Sequence, residues 1–315
     1  MSFTGKVIKA GVIGGLTIAG IFAANKHLTK KYTSVNKTYE YNGFSWNYPQ
    51  GKINYLKRGQ GKPLLLLHNI SVYSSCYEYS KVLDRLSEDH TVYALDFLGC
   101  GHSDKPEMCY TAFTFVQIIY MFINEIIGEE TDIIASGLSC AYAVMAKSNF
   151  SDKIGRLTLV DPVSISAMAV PPAAAGSLKK DVFNLPVTGS FFYNMITSET
   201  GSRAYARSLF SSSDRDVSRE TSDILCESAH IGGNGGKYLY SSIKNRFVYV
   251  DIRKSLKGLK DVNIIYGSRE TTKKKVVSNY RRYNKSINIY VVPGAGTVPH
   301  YKYPAEFLTI YNNMG

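Results

Sequence analysis

The chain has 315 residues, of which 44% are hydrophobic and 20% charged, as expected for one large globular domain with an insertion or two small domains. Its formal net charge is +12, but the basic residues are scattered and carry no nucleic-acid-binding signature, so no nucleic-acid partner is predicted. Five widely spaced cysteines without a Cys-x-x-Cys pair argue against a zinc site and favour reduced thiols. The sequence predicts neither a cofactor nor a metal.

The N-terminal segment stands apart because residues 10–24 are uncharged and apolar and are flanked by lysines. The run is short for a membrane-spanning helix, which needs about 20 residues, although Val7 and Ile8 extend it. We predict an uncleaved membrane anchor over residues 1–32. The main domain is then cytoplasmic, because more positive charge follows the run than precedes it. The alternatives are a signal peptide on a secreted or extracytoplasmic protein, or a helix lying on the membrane surface.

Apolar runs and helical patterns alternate along the rest of the chain. Strands are predicted near 39–48 and 52–57, and strands buried on both faces at 63–67, 91–97, 131–135, 154–160, 262–266 and 287–292. Helical patterns follow at 74–86, 112–127, up to 147, at 272–282 and after Pro304. This alternation predicts an α/β protein with a mostly parallel central sheet and helices on both faces.

The alternation lapses between residues 165 and 255, where Ala, Ser, Phe and Tyr are frequent and four glycines cluster at 232–236. We interpret this segment as a helical insertion. The sheet-forming core is then built from residues 33–164 and 256–315.

A short segment in the middle of the chain predicts a nucleophile. Residues 133–143 read as an apolar strand, a turn of small residues and a helix, with the sequence Gly-x-Ser-x-Ala at 137–141. A sharp strand-to-helix turn lifts a serine above the end of a sheet and leaves the next backbone N–H facing a developing oxyanion. Ser139 is therefore the predicted nucleophile, and the N–H of Cys140 a predicted oxyanion donor.

Four landmarks together resemble the α/β-hydrolase superfamily over about residues 50–315. Leu64–Asn69 resembles the strand leading to the oxyanion loop, and Asp96–Pro106 is similar to the family's Asp-x-x-Gly-x-Gly-x-Ser-x-x-Pro loop. The other two are Gly137–Ala141 and Pro299-His300 followed by Pro304–Phe307. The resemblance implies an α/β-hydrolase fold in which the 165–255 insertion is a cap over the active site.

The resemblance also implies partners for Ser139. The second oxyanion donor would be the N–H of Asn69 or Ile70. The acid would be Glu270, which follows the strand at 262–266, with Asp161 as the alternative position.

The expected general base is missing from its usual place. The family pattern Gly-His-x-Pro-His reads here as Gly296-Thr297-Val298-Pro299-His300, and threonine does not accept a proton near neutral pH. His300 becomes the candidate base if the loop is rearranged. His230, in the insertion, is the alternative because a cap histidine can hang over a pocket.

Two functions follow from these expectations. The first is a serine hydrolase of an ester-like or other small acyl substrate, acting through an acyl-enzyme on Ser139 with His300 as base and Glu270 as its orienter. The second is a hydrolase-fold protein that has lost the chemistry and binds an apolar ligand near the membrane. Thr297 favours the second, whereas Ser139, its small neighbours and Glu270 favour the first, which we expect. An aspartate-dependent dehalogenase or epoxide hydrolase is disfavoured because the predicted turn carries serine.

Overall fold

The computed structural model describes residues 19–32, 43–172, 183–209, 217–269 and 271–314. The strands in this part of the chain form one eight-stranded sheet in the order β1-β2-β4-β3-β5-β6-β7-β8. Strands β3 to β8 are parallel, and β1 and β2 are antiparallel to their neighbours. The strands are β1 Phe44–Tyr48, β2 Gly51–Arg58, β3 Lys62–Leu67, β4 His90–Leu95, β5 Thr131–Ser136, β6 Ile154–Val160, β7 Val262–Gly267 and β8 Asn288–Val292.

The four leucines of β3 show why the sheet is covered on both faces. Leu65 and Leu67 belong to one hydrophobic cluster, whereas Leu64 and Leu66 belong to a second cluster on the opposite face. Successive side chains of a strand point to opposite faces, so a continuous apolar run requires packing on both. The predicted fold class, a mostly parallel sheet between helices, is confirmed.

Seven of the described α-helices lie outside the insertion. They are α1 at 19–32, α2 Leu83–Leu86, α3 Ala112–Phe122, α4 Ser139–Asn149, α11 Thr271–Tyr283, α12 Pro299–Lys302 and α13 Pro304–Asn312. The helix predicted at 74–86 is instead a short 3-10 helix, Cys76–Tyr79, followed by α2. The pattern at 112–127 becomes α3 and one π-helical turn, which ends at Gly128 with a φ of 83°.

The segment between β6 and β7 is helical, as expected for the insertion. Its described helices are α5 Ile165–Met168, α6 Thr188–Ile196, α7 Glu199–Leu209, α8 Arg219–His230, α9 Gly236–Lys244 and α10 Arg253–Leu256. The exact domain boundaries remain a prediction.

Helix α1 contradicts the predicted membrane anchor. The Asn194 Nδ2 donates to Asn25 Oδ1 at 2.9 Å, the Asn25 Nδ2 donates to the Val187 carbonyl at 3.2 Å, and Lys31 pairs with Glu199 at 3.0 Å. The helix thus carries charge and makes polar contacts with α6 and α7. Within the described ranges, no helix is both long and apolar enough to cross a bilayer, so the predicted transmembrane anchor, and the location inferred from it, are wrong. Residues 1–18 lie outside the described part.

Candidate active site

A pocket with an open volume of about 860 Å³ lies at the carboxyl edge of the parallel strands, beside α8. Its floor is formed by residues that end or follow four strands, namely Asn69 after β3, Ser136 and Gly137 at β5, Asp161 after β6 and Thr297 after β8. Ligands of open α/β sheets bind at this edge. The fold therefore places the pocket where a functional site is expected.

The walls of the pocket are mostly apolar and aromatic. They are lined by Val163, Leu209, Ile224, Leu225 and Val298, and by the rings of Tyr73, Tyr77 and Tyr301. Lys273 of α11 also borders the pocket, and its Nζ donates to the backbone carbonyl of Asp161 at 3.0 Å. Such walls suit a molecule with a large apolar part.

Gly137 forms the sharp turn between β5 and α4. Strand β5 ends at Ser136, Gly137 has a φ of +57°, and α4 begins at Ser139. Glycine adopts this left-handed conformation without the steric cost that a side chain brings. A Cβ added at Gly137 would also lie 2.3 Å from the Asn69 Oδ1, so the turn has no room for one in this arrangement.

Asn69 fills the space beside this turn. Its Oδ1 accepts the Leu138 backbone N–H at 2.9 Å, and its own backbone N–H donates to the Glu78 Oε2 at 3.0 Å. Both N–H groups that point toward the turn therefore already have acceptors within the chain.

Glu78 lines the pocket and is tied to His300. The His300 Nε2 lies 3.1 Å from the Glu78 Oε1, and the fully buried imidazole stacks on Tyr79 with ring centroids 4.7 Å apart. Burial raises the pKa of the Glu78 carboxyl, but hydrogen bonding and electrostatic attraction to His300, with hydrogen bonds from Ser136 and Asn69, hold that pKa below its usual value. Glu78 is therefore a partly buried carboxylate anion at neutral pH.

The loop after β8 is held by Asp161. The Val298 backbone has a φ of +55°, and its N–H donates to the Asp161 Oδ2 at 2.7 Å. Thr297 lines the pocket, and its buried Oγ1 has no hydrogen-bond partner within the described chain. The hydroxyl of Thr297 is thus available to a ligand.

Comparison with known proteins agrees with this architecture. A family model described as the alpha/beta hydrolase fold matches residues 62–188. The chain is 28% identical over 109 residues to 2-(acetamidomethylene)succinate hydrolase from Mesorhizobium japonicum, which is 35% of this chain and 38% of that protein. It is 27% identical over 112 residues to soluble epoxide hydrolase from Corynebacterium sp., covering 36% of this chain and 38% of that protein.

Structural similarity extends over a larger part of the chain. The crystal structure of a carboxylesterase from Bacillus subtilis superposes with a TM-score of 0.64 at 15% identity, covering 93% of this chain and 97% of that one. The chain therefore has the α/β-hydrolase fold. The matched regions span under two fifths of the length of the two curated relatives. Their names support a hydrolase in the general sense, without a mechanism or a substrate.

In α/β-hydrolases the nucleophile stands at the strand-to-helix turn after the central strand. In this chain Gly137 is at that turn, so the prediction that Ser139 stands at its apex is wrong. Ser139 lies in the first turn of α4, is fully buried, and its Oγ donates to the His68 carbonyl. Among the described residues lining the pocket, Ser139 is not found.

The predicted oxyanion donors are also placed differently. With Gly137 at the turn, the donor next to it is the Leu138 N–H, not that of Cys140, whose buried Sγ lies 3.2 Å from the Ala135 carbonyl. Neither Cys140 nor Ile70 is among the described pocket-lining residues. Asn69 does line the pocket, but its N–H is bound to Glu78.

The structure does not bring the predicted triad together. His300 contacts Glu78, whereas the Ser139 Oγ contacts a backbone carbonyl. Asp161, the alternative acid, lines the pocket and binds the loop after β8. Glu270 lies outside the described residues, so its predicted role remains a prediction.

His230, the alternative base, is buried between helices away from the pocket lining. Its Nδ1 lies 2.7 Å from the Cys226 carbonyl, its Nε2 lies 3.1 Å from the Thr197 Oγ1, and its ring is 4.6 Å from that of Tyr32 in α1. Burial lowers the pKa of the His230 imidazole. Through these contacts His230 joins helices of the insertion to α1, which is a structural role.

Two of the residues that shape the site, Gly137 and Glu78, were not predicted from the sequence. A usable signal for Gly137 was present in the sequence. Ala135-Ser136-Gly137-Leu138-Ser139 has the same spacing of small residues two positions earlier, and Gly137 directly follows strand β5. No comparable signal marks Glu78, whose position depends on the tertiary contact with His300. Within the described chain, no group of three or more His, Cys, Asp or Glu residues is placed to hold a metal ion.

Proposed function

We propose that the chain binds a small, largely apolar molecule in this pocket without forming an acyl-enzyme on Ser139. The turn after β5 is the main support, because Gly137 occupies the nucleophile position and the Asn69 Oδ1 accepts the Leu138 N–H. Acyl transfer requires an attacking side chain and free donors for the oxyanion. This turn provides neither.

The hypothesis of a Ser139 acyl-enzyme has little geometric support. Ser139 is fully buried and its hydroxyl already donates to a carbonyl. The residue in the usual position of the base is Thr297, and His300 is bound to Glu78. An attack by Ser139 would require α4 and the β8 loop to rearrange together.

The walls favour an apolar ligand. Burial of apolar surface contributes about 25 cal/mol per Å², so an alkyl chain that buries roughly 150 Å² gains about 4 kcal/mol before the cost of association. Leu209, Ile224 and Leu225 provide such a surface opposite the polar floor. Because about 4 kcal/mol corresponds to a Kd of about 1 mM, millimolar binding is the expected strength for a single-chain ligand.

Hydrolysis without a covalent intermediate is the second candidate. It is favoured by the names of the relatives and by the Glu78 carboxylate, which lines the pocket and could take a proton from water as a general base. The low pKa of Glu78 makes it a weak base, so turnover by this route would be slow.

The test combines binding and reactivity on the full chain. We expect 1-octanol to bind in a calorimetric titration, a fluorophosphonate probe to leave the protein unlabelled, and 4-nitrophenyl butyrate to be hydrolysed no faster than in buffer. Leu225→Trp, which fills the pocket, should abolish binding. Phe113→Trp is the matched control, because Phe113 is 67% exposed and does not line the pocket.

Each result that differs from these expectations leads to a different conclusion. Labelling that disappears in Ser139→Ala would restore the serine-hydrolase hypothesis and overturn the proposal. Ester hydrolysis that survives Ser139→Ala but is lost in Glu78→Gln would favour the second candidate. Octanol binding that Leu225→Trp leaves unchanged would show that the pocket is not the binding site.

A further inference from the structure

Three backbone hydrogen-bond donors around the pocket floor are already bound to acceptors of the chain itself. The Asn69 N–H donates to the Glu78 Oε2 at 3.0 Å, and the Leu138 N–H donates to the Asn69 Oδ1 at 2.9 Å. The third backbone donor, the Val298 N–H, reaches the Asp161 Oδ2 at 2.7 Å. A ligand oxyanion would have to displace one of these side chains to obtain any of the three N–H groups.

The floor presents negative charge instead. Glu78 and Asp161 both line the pocket, and a carboxylate offers about four lone-pair sites, more than the bonds described here occupy at Glu78. Hydrogen bonding to His300 keeps the pKa of Glu78 low, so its charge persists at neutral pH. The polarity is the reverse of a site that stabilises an oxyanion.

Two groups near the floor carry or can carry positive charge. The Lys273 Nζ donates to the Asp161 carbonyl at 3.0 Å and is half-buried at the edge of the pocket. His300 is fully buried behind Glu78 and is not among the described lining residues. Two carboxylates and one lysine line the described part of the pocket, so the head of a ligand meets more carboxylate than ammonium groups at this surface.

We propose that the pocket selects a single-chain amphiphile whose polar end donates hydrogen bonds and carries no negative charge, such as an alkyl alcohol or a primary alkylammonium, and that it excludes alkyl carboxylates. The inference rests on the proposed function, because it assumes that the pocket binds a ligand. A carboxylate head would bring a further negative charge to a lining that already holds Glu78 and Asp161, and the three backbone donors of the floor are occupied. Its desolvation would therefore be compensated only in part, by groups such as the Thr297 hydroxyl and the Lys273 ammonium. An alcohol or ammonium group meets acceptors there.

The test compares three probes with the same alkyl chain, namely 1-octanol, octylammonium and octanoate, by calorimetric titration of the full chain at pH 7. We expect octylammonium and octanol each to bind at least about tenfold more tightly than octanoate, which is about 1.4 kcal/mol. Glu78→Gln should reduce the ratio of octylammonium to octanoate affinity by about tenfold and leave octanol within about twofold.

A second variant keeps the test decisive if Glu78→Gln does not fold. Lys273→Met removes the one lining lysine and should increase the preference for octylammonium over octanoate several-fold. Lys274→Met is the matched control, because Lys274 is an exposed neighbour on α11 and should change nothing.

The possible failures are distinguishable. Octanoate binding as tight as octylammonium binding, or a ratio that neither Glu78→Gln nor Lys273→Met changes, would overturn the proposed selectivity while leaving pocket binding intact. If none of the three probes binds, or if Leu225→Trp does not reduce their binding, the proposed function itself fails.

Discussion

Two turns at the carboxyl edge of the sheet, one after β4 and one after β5, are built alike. In the loop after β4, Gly101 has a φ of +48°, and the next N–H, that of His102, donates to the buried Asp96 Oδ2 at 2.8 Å. In the turn after β5, Gly137 has a φ of +57°, and the next N–H, that of Leu138, donates to the Asn69 Oδ1 at 2.9 Å. A Cβ on either glycine would lie 2.3 Å from the accepting oxygen.

The similarity indicates what kind of turn follows β5. The loop after β4 is held by hydrogen bonds within the chain. Asp96 also accepts the Cys76 N–H at 2.6 Å, and the Asp96 carbonyl accepts the Ser103 hydroxyl at 2.6 Å. The turn after β5 is likewise closed by a hydrogen bond within the chain. In a serine hydrolase the same turn carries the reactive side chain, and the backbone N–H after it is free to bind the oxyanion. The geometry of this turn is thus retained, whereas the residue at its apex, Gly137, carries no side chain.

The largest expected effect is a difference between the two turns in how much their acceptor side chains contribute to the free energy of unfolding. Asp96→Ala leaves the Cys76 and His102 N–H groups without their acceptor, and each buried unpaired donor costs about 1–3 kcal/mol. We expect urea denaturation to show a loss of about 3 kcal/mol or more. Asn69→Ala, which removes one neutral acceptor, should cost less. Equal losses in the two variants would contradict the view that the Asp96 loop is the stronger structural element.

The second prediction concerns the lack of space for a side chain at Gly137. Gly137→Ser places a side chain at a positive φ and against the Asn69 amide, and we expect a loss of about 2–4 kcal/mol in the free energy of unfolding. In an Asn69→Gly background the same substitution should cost less, with a coupling energy of about 0.5–3 kcal/mol in a double-mutant cycle. Additive losses would show that the two residues do not compete for the same space. Fluorophosphonate labelling of the Gly137→Ser single variant would show that Asn69 does not block the site.

The sequence predicts the fold well because the buried strands of the sheet are continuous apolar runs in the sequence. The run Leu64–Leu67 indicates a strand buried on both faces, and the structure confirms it residue by residue. The site was harder to predict, because a shift of two residues in the position of the strand-to-helix turn decides whether Gly137 or Ser139 stands at the apex. Propensity patterns do not resolve boundaries to that accuracy.

Other errors have different physical origins. The contact between His300 and Glu78 joins residues 222 positions apart and has no local signature. The apolar run before Asn25 predicts an anchor, but the described helix α1 carries Lys26, Lys30 and Lys31 and pairs with α6 and α7, which hydropathy alone does not reveal.

A smaller effect is expected at Ser139, where stability and binding should respond differently. Ser139→Ala removes the hydroxyl that donates to the His68 carbonyl, and a loss of about 1–2 kcal/mol is expected from the unpaired buried acceptor. The affinity for 1-octanol should not change, because Ser139 does not line the pocket. Ser136→Ala is the matched comparison, since Ser136 lines the pocket and hydrogen-bonds Glu78, and should alter binding. A binding defect in Ser139→Ala alone would refute this assignment.

The smallest expected effect is a change in the acid side of the stability profile. Because hydrogen bonds and the charge of His300 outweigh burial and lower the pKa of Glu78 in the folded chain, its contribution is fully present above the ordinary glutamate pKa of 4.5 and is lost as pH falls through the lower folded value. Glu78→Gln should therefore flatten the loss of stability below about pH 4.5, measured by urea denaturation at a series of pH values. Glu88→Gln, at a side chain that is 54% exposed and paired only with Arg85 at the surface, should leave the profile as it is. If both variants flatten it equally, the effect belongs to net charge and not to the carboxylate at the pocket floor, and the polarity assigned to that floor would lose its electrostatic support.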